Sequence, residues 1–142
     1  IIEKNLSELA AKKIKRQTQF SPAGAAELEA IHRQILDSLK LAFAVFMSGA
    51  PADARRLLDQ KTEMRAAELL AAERHLERLR EGRPETLETT SLHLDVLRDL
   101  RRIHSHIVSV AYPVLEAAGE LPKIATDSEP VLGVPATERP AR

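Results

Sequence analysis

The sequence predicts an all-α protein: an antiparallel bundle of three long helices, preceded by a shorter N-terminal helix and followed by a tail. Three observations predict it. Apolar residues recur at three- and four-residue steps over long stretches. The stretches are separated by short breaks holding glycine or proline. No alternating apolar–polar run suggests a strand anywhere.

The first helix is expected from about Ile1 to Gln17, and it starts without a capping residue. The second opens at Ser21-Pro22, a hydroxyl cap followed by proline at the first helical position. It carries Leu28, Ile31, Ile35, Leu39, Ala42, Val45 and Phe46, and stops at Ser48-Gly49. The third opens at Pro51 and runs to about Arg80, with Glu81-Gly82 as its stop. The fourth starts near Pro84 or Leu87 and runs to about Ala118, before Gly119. These three helices are roughly thirty residues each, or about 45 Å long. Short loops between long amphipathic helices make them antiparallel neighbours.

The fourth helix shows a seam at Leu92, Val96, Leu100, Ile103, Ile107, Val110 and Val114, widened by Leu97, Val108, Ala111 and Leu115. Pro113 removes a backbone donor inside it and is expected to kink it near Ser109. After Gly119 the periodicity ends in LPKIATDSEPVLGVPATERPAR. The expected organisation is therefore a bundle over residues 1–118 and a Pro-rich, flexible tail over 119–142.

At 142 residues the chain suits one domain with a real core. Its 21 basic and 21 acidic residues balance, which argues against nucleic acid as a partner. With no cysteine, disulfides and thiolate metal sites are excluded. The longest apolar run, LAFAVFM from Leu41, is too short to span a bilayer. A start at Ile1, already in a helical pattern, suggests a piece of a larger protein. The basic cluster KKIKR at 12–16 is either an exposed turn or the segment just after a membrane span on its cytoplasmic side.

Polar residues that could carry chemistry concentrate in LHLDVLRDLRRIHSHI, residues 92–107. Asp95 and Asp99 stand one turn apart, on a strip with Arg102 and His106 at the edge of the core. Asp59 and Glu63 repeat that spacing on the third helix, and Glu63 could face the fourth. Two such rows on neighbouring helices could hold a cation; carboxylates suit hard ions, and a nearby imidazole shifts the choice toward iron, manganese or zinc. The alternative is a solvated face, with Arg98, Arg101 and Arg102 neutralising the aspartates. His93 and His104 fall within the apolar stripe as core or boundary residues, whereas His32 and His75 are expected at the surface or boundary. A di-iron enzyme needs Glu-x-x-His twice, and only Glu29-Ala-Ile-His32 supplies it. No nucleophile elbow or phosphate loop is present.

These residues carry a resemblance. Leu97-Arg98-Asp99-Leu100-Arg101-Arg102-Ile103, Ser105-His106-Ile107 and Ala111-Tyr112-Pro113 resemble the last helix of the PhoU-like domain that follows the membrane part of bacterial sodium/phosphate cotransporters. LLDQKTEMRAAELLAAERHLERL resembles the third helix of that domain more generically. The likeness covers about residues 1–118. It implies a bundle of long antiparallel helices and an acidic motif that in some members binds iron or zinc. Asp95 to Asp99 matches that motif; Asp59 to Glu63 matches it loosely, ending in Glu. The family is usually built from two three-helix repeats, so one repeat here implies a homo-oligomer if the acidic surface is to be complete. The implied function is a non-enzymatic regulator of sodium-dependent phosphate uptake. It would lie on the cytoplasmic side of the bacterial inner membrane, with the membrane transporter portion of the same chain as partner and a divalent or iron ion as cofactor. The rival readings are a metal-dependent catalytic bundle using Asp95, Asp99 and Glu63, and a structural oligomerisation module.

Overall fold

The computed structural model describes residues 2–120. They form α1 (Ile2–Arg16), α2 (Pro22–Ser48), α3 (Pro51–Arg80), α4 (Pro84–Val108) and α5 (Ala111–Ala117), with no strand among the described residues. α2, α3 and α4 pack on one another as the expected three-helix bundle; α1 lies on α4, and α5 folds onto α3. The tail expected over 119–142 falls, from residue 121 onward, outside the described residues.

Local chemistry sets the helix ends. Ser21 Oγ accepts the Gly24 N–H at 3.1 Å, satisfying a donor that the helix itself leaves open, and Pro22 occupies the first turn. Gly49 adopts φ 63° and its N–H reaches Val45 O at 2.8 Å, which closes α2 in the left-handed conformation that glycine adopts without cost. α1 ends instead on Gln17 at φ 52°, where a side chain costs about 1 kcal/mol.

Pro113 acts where expected but more strongly. Lacking an N–H, it cannot bond to Ser109 O, and the chain tightens: Tyr112 N–H turns to Ser109 O at 3.3 Å and Val110 N–H to Ile107 O at 3.4 Å. Ser109 Oγ caps His106 O at 2.6 Å. The single fourth helix expected up to Ala118 is thus two, α4 and α5, divided at Ser109-Val110.

The core forms two apolar clusters. Ile31, Ile35, Met64, Ala71, Leu97 and Leu100 fill the middle of the bundle. Ala42, Val45, Ala54, Leu57, Val108, Ala111 and Leu115 fill the end nearest the α2–α3 turn. On α4 and α5 the row His93, Leu97, Leu100, His104, Val108, Ala111 and Leu115 is buried. Of the expected seam, Leu92 and Leu100 are buried, while Val96, Ile103, Ile107, Val110 and Val114 are only partly buried. His93 and His104 lie in this row, within the apolar stripe as expected, and the residues expected to widen the stripe, Leu97, Val108, Ala111 and Leu115, are its deepest apolar members on this face. The stripe is wide because α4 is covered twice. α2 and α3 cover one side, and α1 covers the other, where Leu6, Leu9 and Ala10 face Leu92 and Val96.

The cap and the core are expected to differ in cost. Ser21→Ala should lower the unfolding free energy by about 1 kcal/mol, and Leu57→Ala, removing a fully buried side chain, by about 2–5 kcal/mol. Denaturant titration of both variants checks this, and equal losses would contradict it.

Candidate functional site

The polar residues of α4 fall into two places. The first is inside the bundle. His75 from α3 and His93 from α4 stack with ring centroids 4.6 Å apart and an interplanar angle of 10°. Phe20 meets His93 edge-on at 5.8 Å. Beside them Arg78 donates through both terminal nitrogens to the Glu27 carboxylate, at 2.9 and 2.8 Å. His93 Nε2 lies 3.9 Å from the same carboxylate. Gly24 lets α2 approach this layer: a Cβ there would stand 3.4 Å from His93 Cε1 and 3.1 Å from Ser21 Oγ. His75 is 2% exposed, which corrects the surface or boundary position expected for it; its stacking partner lies on another helix. His93 is buried and His32 exposed, as expected. Ser38, Glu27 and Arg78 were not singled out, although Ser38 continues the α2 row Ile31, Ile35, Ala42, Val45.

Burial and the neighbouring imidazole press His93 down to about 4, against the pull of Glu27. His75 is lowered by burial and then by Arg78. His104 is also lowered, by burial and by Lys61, and its Nε2 lies 2.9 Å from Ser38 Oγ. The core therefore holds these rings neutral.

The second place is the α1–α4 interface. Asp99 is fully buried there, and neither of its oxygens has a hydrogen-bond partner among the described residues. Arg102 and Arg98 approach Asp99 Oδ1 at 3.7 and 3.9 Å, compensating its charge without hydrogen-bond geometry. Asp95 is half-exposed and paired with Arg98 at 3.0 Å. Both aspartates line a small cleft with Asn5, Glu8 and Lys12. Asp59 and Glu63 are exposed on α3 and do not line that cleft. The α3 carboxylate that meets α4 is Glu68, 3.5 Å from Arg101. Among the described residues no three acidic or imidazole groups converge on one point as a cation would require. The donor set fits a cation only in part: Asp99 offers two oxygens without hydrogen bonds, while the Arg98 guanidinium engages Asp95.

The imidazole layer makes stability depend on pH. Below about 6.5 the unfolded chain takes up protons that folded His93, held near 4, does not. Stability is therefore complete above about 6.5 and falls as pH drops toward 4, by roughly 3 kcal/mol for this ring. Unfolding free energies measured from pH 7 to 4.5 should show that slope, and His93→Phe should flatten it; identical slopes in both proteins would refute the assignment.

Comparison with known proteins agrees with this architecture. The family model described as "PhoU domain" matches residues 28–114, from the first turns of α2 into α5. Two relatives, from Escherichia coli (strain K12) and Salmonella typhimurium, carry the name "Putative inorganic phosphate export protein YjbB". Each is 41% identical, over 120 and 116 residues, or 84% and 82% of this chain. The chain spans only about a fifth of those relatives, 22% and 21% of their lengths. No solved structure matches it. With its family model covering the bundle from α2 to α5, the chain belongs to the PhoU domain family.

Proposed function

We propose that this chain is the regulatory domain of a phosphate transport protein, acting on flux through a membrane portion rather than catalysing a reaction. One observation carries the reading: 41% identity joins nearly the whole bundle to about a fifth of proteins named for inorganic phosphate export. No described helix is long and apolar enough to cross a membrane, so in this reading a permeation path would lie in other segments. The membrane portion of the same chain would then be the partner, with the bundle on its cytoplasmic side and KKIKR next to the bilayer. Dependence on sodium and assembly into a homo-oligomer belong to the same proposal. The relatives' name speaks of export, whereas the sequence resemblance pointed to uptake, so the test must read both directions.

In proteoliposomes holding the full-length protein, radiolabelled phosphate flux should change in rate or in phosphate dependence when the bundle is deleted at equal abundance. Exchange of sodium for potassium reads the coupling ion. Flux unchanged in both directions on deletion would overturn the regulatory role.

A bound cation is a second reading, favoured by the buried, unbonded carboxylate of Asp99. Asp99 and Asp95 would supply oxygens, and a bound iron, zinc or manganese ion would supply positive charge to hold α1 against α4. Protein purified without chelator should carry near-stoichiometric metal by elemental analysis, and Asp99→Asn should lose it. Asp59→Asn and Glu63→Gln should retain it, since neither residue lines the cleft. Metal-free wild-type protein, or metal retained in Asp99→Asn, would refute this site.

A further inference from the structure

Between α3 and α4 lies a cleft of about 590 Å³. Its rim is built from Lys61 and Arg65, one turn apart on α3, and from Arg101 and Arg102 on α4. His106 adds an exposed imidazole, and no carboxylate lines the cleft. Three exposed bases on α2 and α3 do find acids within one turn: Arg33 with Glu29 at 2.7 Å, Lys40 with Asp37 at 3.0 Å, Arg56 with Asp53 at 3.1 Å. Among the described residues Lys61 and Arg65 have no acidic partner within 4.0 Å, although their helix carries Asp59, Glu63 and Glu68. Arg101 and Arg102 meet Glu68 and Asp99 only at 3.5 and 3.7 Å.

The cations are also positioned. Lys61 donates to the Tyr112 hydroxyl at 3.2 Å and sits 5.8 Å from the centroid of its ring, so α5 holds it in place. His104 forms part of the lining, and Ser38 occupies its Nε2 from beneath. Of the four permanent cations around this cleft, Arg101 and Arg102 each face one carboxylate, at 3.5 and 3.7 Å, and Lys61 and Arg65 face none among the described residues, which leaves net positive charge in a small volume. A phosphoryl group concentrates charge on three oxygens that match the arginine fork. The cleft falls within the usual size of small-ligand sites, roughly 300–1,000 Å³, and so has room for more than one such group.

We propose that the α3–α4 cleft binds a phosphate-class oxyanion between Lys61 and Arg65 on one wall and Arg101 and Arg102 on the other. Its sense as a phosphate sensor rests on the transport reading above; binding itself rests on the cleft. The anion supplies the charge that α3 and α4 lack here and draws their facing walls together. The same chemistry could come from soluble phosphate or polyphosphate, or from the headgroup of an anionic lipid.

Calorimetric titration of the purified chain with inorganic phosphate, tripolyphosphate and sulfate, beside flotation with phosphatidylglycerol or phosphatidylcholine vesicles, separates these sources. Saturable phosphate or tripolyphosphate binding, tighter than sulfate, should weaken at least tenfold in Arg65→Gln/Arg101→Gln. It should persist in Lys15→Gln/Arg16→Gln, which removes the same charge from α1. Both substituted pairs are exposed, and unchanged helical circular dichroism and melting will show that the fold is intact. Binding to phosphatidylglycerol vesicles alone, with the same dependence on Arg65 and Arg101, would identify the lipid source. No binding, equal binding of sulfate, or equal loss in the α1 control would overturn the proposal. If flux still responds to deletion of the bundle while the cleft binds nothing, the regulatory reading stands and only this site falls.

Discussion

The bidentate pair between Glu27 on α2 and Arg78 on α3 is the constraint on which the rest of the bundle depends. Both side chains are almost wholly withdrawn from water, and leaving either one alone there costs about 3–5 kcal/mol. An apolar seam tolerates a slide by one turn, about 5.4 Å, because one aliphatic layer can replace another. A two-toothed ion pair does not. With His93 beside it and His75 stacked on His93, the pair sets α2, α3 and α4 in a single axial register. That register decides which residues of α3 stand opposite Arg101 and Arg102, and so whether Lys61 and Arg65 face a cleft or open water.

Polar and apolar layers alternate along the axis. The imidazole layer is followed by the cluster around Met64, then by the Ser38–His104 contact, then by the cluster around Leu57. Aliphatic layers supply nonspecific burial, and polar layers penalise every wrong alignment by leaving a group unpaired. Asp99, under α1, is a buried carboxylate near two guanidinium groups and hydrogen-bonded to neither.

Much of the fold was legible in the sequence because caps and breaks are local. Ser21-Pro22, Gly49-Ala50-Pro51 and Glu81-Gly82 act through backbone geometry within a few residues, and the helices end where these signals stand. The position of His75 was not legible, since its burial depends on α4 delivering His93 across the bundle. The α4 stripe was legible in membership, His93 and His104 included, but not in depth: Val96, Ile103 and Ile107 are only partly buried because the partner helices cover the neighbouring row more completely. Asp95 and Asp99, one turn apart on one strip, line the same cleft. Spacing could not show that Asp99 sits under α1 while Asp59 and Glu63 remain in solvent. The basic cleft escaped notice because Lys61 and Arg101 are forty residues apart.

The helices are joined unequally. Two residues connect α2 to α3 and three connect α3 to α4, whereas five lie between α1 and α2. α1 rests mainly on α4, with no ion pair to another helix among the described residues. Cooperative units open in order of the surface they bury, so α1 can detach at a lower free energy than the three-helix body behind it. Its departure would hydrate Asp99 without disturbing the Glu27–Arg78 register. The packing thus has two tiers, an outer helix held by one apolar face and an inner three held also by the buried ion pair.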